Sequence, residues 1–113
     1  MYLVALFRNG TDYSVFHTKT EEDVKSYDEF LKKNGYTLES CVITTDITVA
    51  LKTRLKFRLK ELRTLDSKTD YFGYREVLML QIGSLVRRLQ NRGIEVTDEL
   101  ALYCYRFRQE ERG

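Results

Sequence analysis

Apolar and polar positions change period several times along this chain, and each change marks an element. Tyr2 to Phe7 is a short apolar run of strand formers, closed by Asn9-Gly10. Asn-Gly is a strong hairpin signal, because both turn positions tolerate positive φ. Tyr13 to His17 supplies the returning strand. Thr18-Lys19-Thr20-Glu21 has capping-box spacing, and acids crowd the turn that follows. Val24, Tyr27 and Leu31, joined by Phe30, make one apolar helical face that ends near Lys32 and Lys33, with Asn34-Gly35 as a C-cap signal. Tyr36 to Thr44 reads as a third strand, bounded by Gly35 and the polar Thr44-Thr45-Asp46 cluster.

The stretch Leu51–Arg63 fits two periods. Wound at about 100° per residue, Leu51, Leu55, Leu59 and Leu62 fall on one narrow face. Leu51, Thr53, Leu55, Phe57 and Leu59 also alternate with basic residues, as a half-buried strand does. Helix is favoured, because Thr45 or Asp46 can cap it and Leu62 keeps the helical period while breaking the alternation. Phe57 then points away from the leucine stripe. Asp70 can cap a further helix running to about Asn91, with Leu78, Ile82, Leu85, Val86 and Leu89 at helical spacing. Val77-Leu78-Met79-Leu80 makes its first half apolar nearly all round, which predicts burial on more than one side. Gly83 costs about 1 kcal/mol relative to Ala inside a helix and points to close approach of another backbone, within the fold or in a dimer. Gly93 ends this helix, and Ile94 to Val96 connects it to a start at Thr97-Asp98-Glu99. Leu100, Cys104 and Phe107 share one helical face there. The alternation of Ala101, Tyr103, Tyr105 and Phe107 leaves a strand open for 100–108, with helix favoured. The tail Gln109–Gly113 is polar and is expected to fray.

The resulting order is β-β-α-β-α-α-α. It predicts a single α+β domain over residues 1–113: a small three-stranded antiparallel sheet, a β-hairpin plus one strand, packed with three or four helices.

Composition narrows the function classes. A chain of 113 residues, 42% hydrophobic and 32% charged, suits one soluble globular domain. With eight Tyr and six Phe, a core needs neither metal nor disulfide, and the absence of Pro argues against a linker or stalk. Cys41 and Cys104 sit far apart in apolar contexts, without a CxxC, and read as reduced core residues of a cytoplasmic protein. One histidine leaves no metal-ligand set, so no metal or cofactor is expected. The apolar run at the N-terminus is too short for a signal peptide or a membrane span.

Net charge is only +2, so a nucleic-acid role has to rest on a local patch. Lys52, Arg54, Lys56, Arg58, Lys60 and Arg63 supply one, against the single acid Glu61. These side chains, extended by Arg75, Arg87, Arg88 and Arg92, are the candidate contacts to a phosphate backbone of DNA or RNA. Arg106 and Arg108, interleaved with Tyr105 and Phe107, are candidates for stacking on bases. The alternative is a small regulatory or inhibitory protein that docks on an acidic partner protein, with Phe57 as an exposed anchor, or that forms a homodimer through the long helix carrying Gly83. His17 is the one candidate general base, with Tyr13 or Asp12 nearby. No phosphate loop, HExxH or nucleophile elbow accompanies it, so a non-catalytic protein is expected.

The first strands also carry a resemblance. Tyr2-Leu3-Val4-Ala5-Leu6-Phe7-Arg8-Asn9-Gly10 and Tyr13-Ser14-Val15-Phe16-His17-Thr18, a hairpin before a helix, resemble the paired motifs of the GIY-YIG nuclease fold in its small phage-type branch. There the strands read roughly YLIRNG and YKIGIT. Asp70-Tyr71-Phe72 is similar to a later element in which an aromatic follows an acid. The resemblance covers roughly the first two-thirds of the chain. Tyr13 stands for the second motif's tyrosine, but Phe16 replaces its glycine, and the first motif's tyrosine is replaced by Phe7 or lost. The helix that should carry an arginine offers Lys25. The helix that should carry the metal-binding glutamate starts Val49-Ala50-Leu51 and offers none there. What the resemblance implies is a degenerate copy, of phage or mobile-element origin, that binds DNA without cutting it.

Overall fold

Five consecutive buried residues, Leu3 to Phe7, place the first strand in the middle of the sheet. A strand covered on both faces reads as a continuous apolar run, and this one does. The computed structural model describes residues 1–65 and 73–112. Strand β1 (Tyr2–Asn9) pairs antiparallel with β2 (Asp12–Thr18) on one side and β3 (Thr37–Thr44) on the other, in the order β2-β1-β3. Gly10 takes φ 62° in the hairpin turn, a conformation that favours glycine. The β1–β3 register shifts between Leu6, opposite Ser40, and Phe7, opposite Leu38, so Glu39 is left over in the ladder.

Helix α1 (Glu21–Lys32) covers one face of the sheet, formed by Leu3, Ala5 and Phe7. Thr20 is its cap, accepting from the Asp23 N–H at 3.2 Å. Thr18 is therefore not the capping residue; its hydroxyl donates instead to Asp23 Oδ2 at 2.8 Å. Tyr27 stacks on Phe16 with ring centroids 4.3 Å apart and meets Phe7 edge-on at 5.4 Å. Phe30, expected on the apolar face, is exposed. The helix closes with Tyr36 N–H donating to Leu31 O and Gly35 N–H to Lys32 O, the bond pair of a Schellman motif.

The other face, with Val4, Leu6 and Val15, is covered by α2 (Ile47–Thr64). Asp46 caps α2, accepting from the Thr48 N–H at 2.8 Å. Beyond it lie α3 (Tyr74–Asn91) and α4 (Glu99–Arg112). The leucine stripe of α2 faces these helices and joins Leu78, Ile82, Val86, Leu89, Ala101 and Cys104 in the largest core. Its opposite side packs Ala50 and Phe57 onto the sheet. A helix between a sheet and a helical layer needs two apolar faces, and Phe57 belongs to the second. It is 6% exposed and is core, not an exposed anchor.

Gly83 is explained inside the fold. A Cβ there would lie 2.8 Å from the Cys104 carbonyl oxygen and 2.9 Å from Arg108 Cβ, so its bare backbone lets α3 and α4 pack closely. Residues 100–108 are helical. Asp98 accepts from the Ala101 N–H at 2.9 Å at the start of α4. Leu78 and Met79 are buried, but Val77 is exposed, so the start of α3 is not covered all round. The proposed cap Asp70, and Asp70-Tyr71-Phe72 as a whole, lie outside the described residues. Among the described residues no helix is long and apolar enough to cross a membrane.

Candidate functional site

The basic run of α2 does not form one ridge. At about 100° per residue, Lys52, Lys56, Lys60 and Arg63 lie along one edge of the helix, while Arg54 and Arg58 lie across it. Two of the four residues on the first edge, Lys60 and Arg63, are matched by the chain's own acids. Lys60 Nζ is 3.1 Å from Glu39 Oε2 and sits over the Tyr13 ring, and Arg63 Nη2 is 2.6 Å from Asp98 Oδ2. The extra residue in β3 is what brings Glu39 within reach of both Lys60 and Arg8. Lys52 and Lys56 are exposed and border, with Arg63, a shallow groove against residues 94–98.

Across the helix the situation reverses. A recess of about 320 Å³ opens between β1, β2, α2 and α3, with Arg54, Arg88, His17 and Lys19 around it and Leu3, Val4, Ala50 and Leu51 in its apolar wall. Strand alternation puts His17 on the α2 face, because it pairs with Val4. Arg54 is half-buried. Its pKa is lowered to about 10, first by burial and then by repulsion from Arg88 and Arg58. Partial desolvation, then Arg54, Arg58 and Arg88, also push His17 below its ordinary 6.5. The neutral form of the imidazole is thus favoured.

Arg58 is compensated: its Nη1 lies 2.9 Å from Glu61 Oε1. Among the described residues no carboxylate pairs with Arg54 or Arg88. Two guanidiniums that repel each other and lack an acid form a site arranged for an anion, where charge-assisted bonds to Arg are strongest. Lys19 Nζ sits 6.0 Å from the Tyr2 ring centroid at the mouth.

The remaining candidates scatter. Arg87 is exposed on α3 and does not line the recess. The Arg92 side chain donates to Thr48 Oγ1 at 2.9 Å, tying the end of α3 to the start of α2. Tyr105 and Phe107 pack against the helical core, which removes them as stacking platforms, while Arg106 is exposed. Asp12 and Tyr13 lie at the far end of β2 from His17, so the acid–base grouping is not assembled.

Glu61 is a buried carboxylate whose place in the structure the sequence pattern does not single out. It is 4% exposed, accepts from Arg58 and from the Tyr74 hydroxyl, and opens onto a second recess of about 360 Å³ beside Tyr13, Ser14 and Tyr36. Burial, then the Glu61 bond, pushes the Tyr74 hydroxyl well above its ordinary pKa. The available signal was the spacing of Ala50, Arg54, Phe57 and Glu61, a second face at helical period.

Comparison of this chain with known protein families, with curated proteins and with solved structures finds no match in any of the three.

Proposed function

We propose that this protein is a non-catalytic nucleic-acid-binding module of the cytoplasm, and that its contact surface is the arginine recess between β2, α2 and α3. One observation carries the reading: Arg54 and Arg88 line one recess beside His17, with no carboxylate paired to either among the described residues. Retaining a half-buried Arg54 beside an exposed Arg88, with no carboxylate partner among the described residues, costs stability, and such perturbed groups concentrate at binding sites. Phosphate is the anion that arginine pairs engage best, through two parallel N–H bonds each. Lys19, Lys52 and Lys56 add positive potential around the molecule and favour encounter with a polyanion. The reading moves the interface from the basic run as a whole to Arg54 and Arg88, because Lys60 and Arg63 already have acidic partners.

The test is fluorescence anisotropy with a labelled single-stranded oligonucleotide. Arg54→Gln combined with Arg88→Gln removes two phosphate contacts, which lowers the slope of log K against log salt by about 1.4 for a single strand. Binding that is unchanged in this double variant contradicts the reading.

A further inference from the structure

We infer that the recess takes the terminal phosphomonoester of a single-stranded nucleic acid, in preference to the internal phosphodiesters of a strand or the backbone of a duplex. The inference rests on the nucleic-acid reading and specifies which part of the polymer enters.

Depth is the first argument. Arg54 is half-buried and lines the recess together with Leu3, Val4, Ala50 and Leu51. A duplex carries its phosphates on a broad convex surface and cannot deliver one to the bottom of a recess. A strand end can, because its last phosphate projects beyond the sugar and has no neighbour on one side. The volume, about 320 Å³, is at the lower end of small-ligand pockets, which run from about 300 to 1,000 Å³. It suits one nucleotide-sized group.

Charge is the second argument. A phosphodiester carries one negative charge, whereas a phosphomonoester carries about −1.5 to −2 at pH 7. Arg54 and Arg88 present two positive charges with no acidic partner among the described residues, and Lys19 stands at the rim. The dianion matches that pair; a diester leaves one charge over. A monoester also has three terminal oxygens, enough to accept from both guanidiniums and still meet the His17 imidazole, which lines the same recess.

Wall chemistry is the third. Tyr2 and Ile47 border the recess beside the cations. They offer an aromatic and an aliphatic surface to the terminal sugar and base, a contact that tolerates any sequence because every base has a π-face.

His17 is the only histidine of the chain, so its ring proton resonance reports on this recess without ambiguity. The experiment titrates the protein with four probes: one labelled single strand bearing a 5′-phosphate, the same strand with a 3′-phosphate, the same strand with hydroxyls at both ends, and a nucleoside monophosphate. Affinity comes from anisotropy, or from competition for the monophosphate, and the His17 resonance is followed throughout. The inference expects one phosphorylated strand to bind at least about tenfold more tightly than the hydroxyl-ended strand. That strand shifts His17, and Arg54→Gln erases the preference while Arg54→Lys restores part of it. Equal binding of all three strands, weakened by Arg54→Gln, overturns the strand-end inference and leaves the nucleic-acid reading standing. A nucleoside monophosphate binding as tightly as the strands makes the recess a free-nucleotide site and overturns the inference. If no strand binds, the nucleic-acid reading itself falls. Thermal melts of both Arg54 variants separate loss of contact from loss of fold.

Discussion

Arg54 of α2 and Arg88 of α3 approach each other closely enough that their repulsion is second only to burial in lowering the Arg54 pKa to about 10. Helix α2 has acids nearby, but they are used elsewhere: Glu61 holds Arg58, Glu39 holds Lys60, and Asp98 holds Arg63. On α2 itself, Arg58 and Arg63 have acidic partners among the described residues and Arg54 does not, which is what makes Arg54 beside Arg88 informative.

A pair kept for binding should cost stability. Arg54→Gln removes a half-buried charge and its repulsion with Arg88, so the melting temperature is expected to stay level or rise while oligonucleotide affinity drops. Differential scanning calorimetry beside a binding titration checks both. A clear fall in melting temperature indicates that Arg54 supports the fold.

Glu61 holds two groups at once, and its removal leaves Arg58 in a poorly solvated place. The Glu61 side chain is 5% exposed and that of Arg58 is 17%. Breaking a buried pair from one side typically costs about 3–5 kcal/mol. Glu61→Ala is expected near the lower end, because Arg58 keeps some access to water. Urea unfolding measures it, and Glu61→Ala combined with Arg58→Met should recover part of the loss.

Phe57 separates a core residue from an anchor. Phe57→Ala is expected to destabilise by about 3–5 kcal/mol, as truncation of a buried aromatic does. An exposed anchor would show almost no loss in the same urea titration.

Gly83 faces two opposed effects. Alanine gains about 1 kcal/mol of helix propensity over glycine. Against that, its Cβ would meet the Cys104 carbonyl at 2.8 Å, and backbone on a packed helix yields little. Overpacking of this kind costs about 1–3 kcal/mol, so Gly83→Ala should lower stability on balance. Chemical denaturation of the single variant decides the sign.

His17 gives the pH dependence. Its folded pKa lies below 6.5, so between those two values the unfolded chain binds more protons than the folded protein. Stability contributed by the neutral imidazole is therefore complete above 6.5 and declines as pH drops toward the folded value. A bound phosphate dianion reverses this by favouring the imidazolium, so saturating phosphorylated ligand should raise the His17 pKa. An NMR pH titration of its single imidazole reads both states.

Local signals made most of the fold legible. Asn9-Gly10 marks the hairpin, Asp46 the start of α2, and the period of Leu51, Leu55, Leu59 and Leu62 the face turned to α3 and α4. The order β-β-α-β-α-α-α and the α+β class follow from those signals and are seen in the structure. The leucine stripe alone does not account for the buried surface of α2, which is why the sequence pattern leaves Phe57 outside the core. The second face, Ala50, Phe57 and Glu61, is interrupted by Arg54 and ends in an acid, so it does not look apolar. The site was less legible for a different reason. His17, Arg54 and Arg88 come from three elements, and only tertiary packing brings them together. The ion pairs that divide the basic run, Lys60 with Glu39 and Arg63 with Asp98, span 21 and 35 positions and leave no mark in local sequence.

The most direct measurement compares the salt dependence of single-strand binding for three proteins: wild type, Arg54→Gln/Arg88→Gln, and Lys52→Gln/Lys56→Gln. Both double variants remove two positive charges, so net charge is matched and only location differs. A recess interface predicts that the arginine variant loses affinity and about 1.4 units of salt slope, while the lysine variant keeps most of both. Equal losses in the two variants, or a larger loss in the lysine variant, would contradict it.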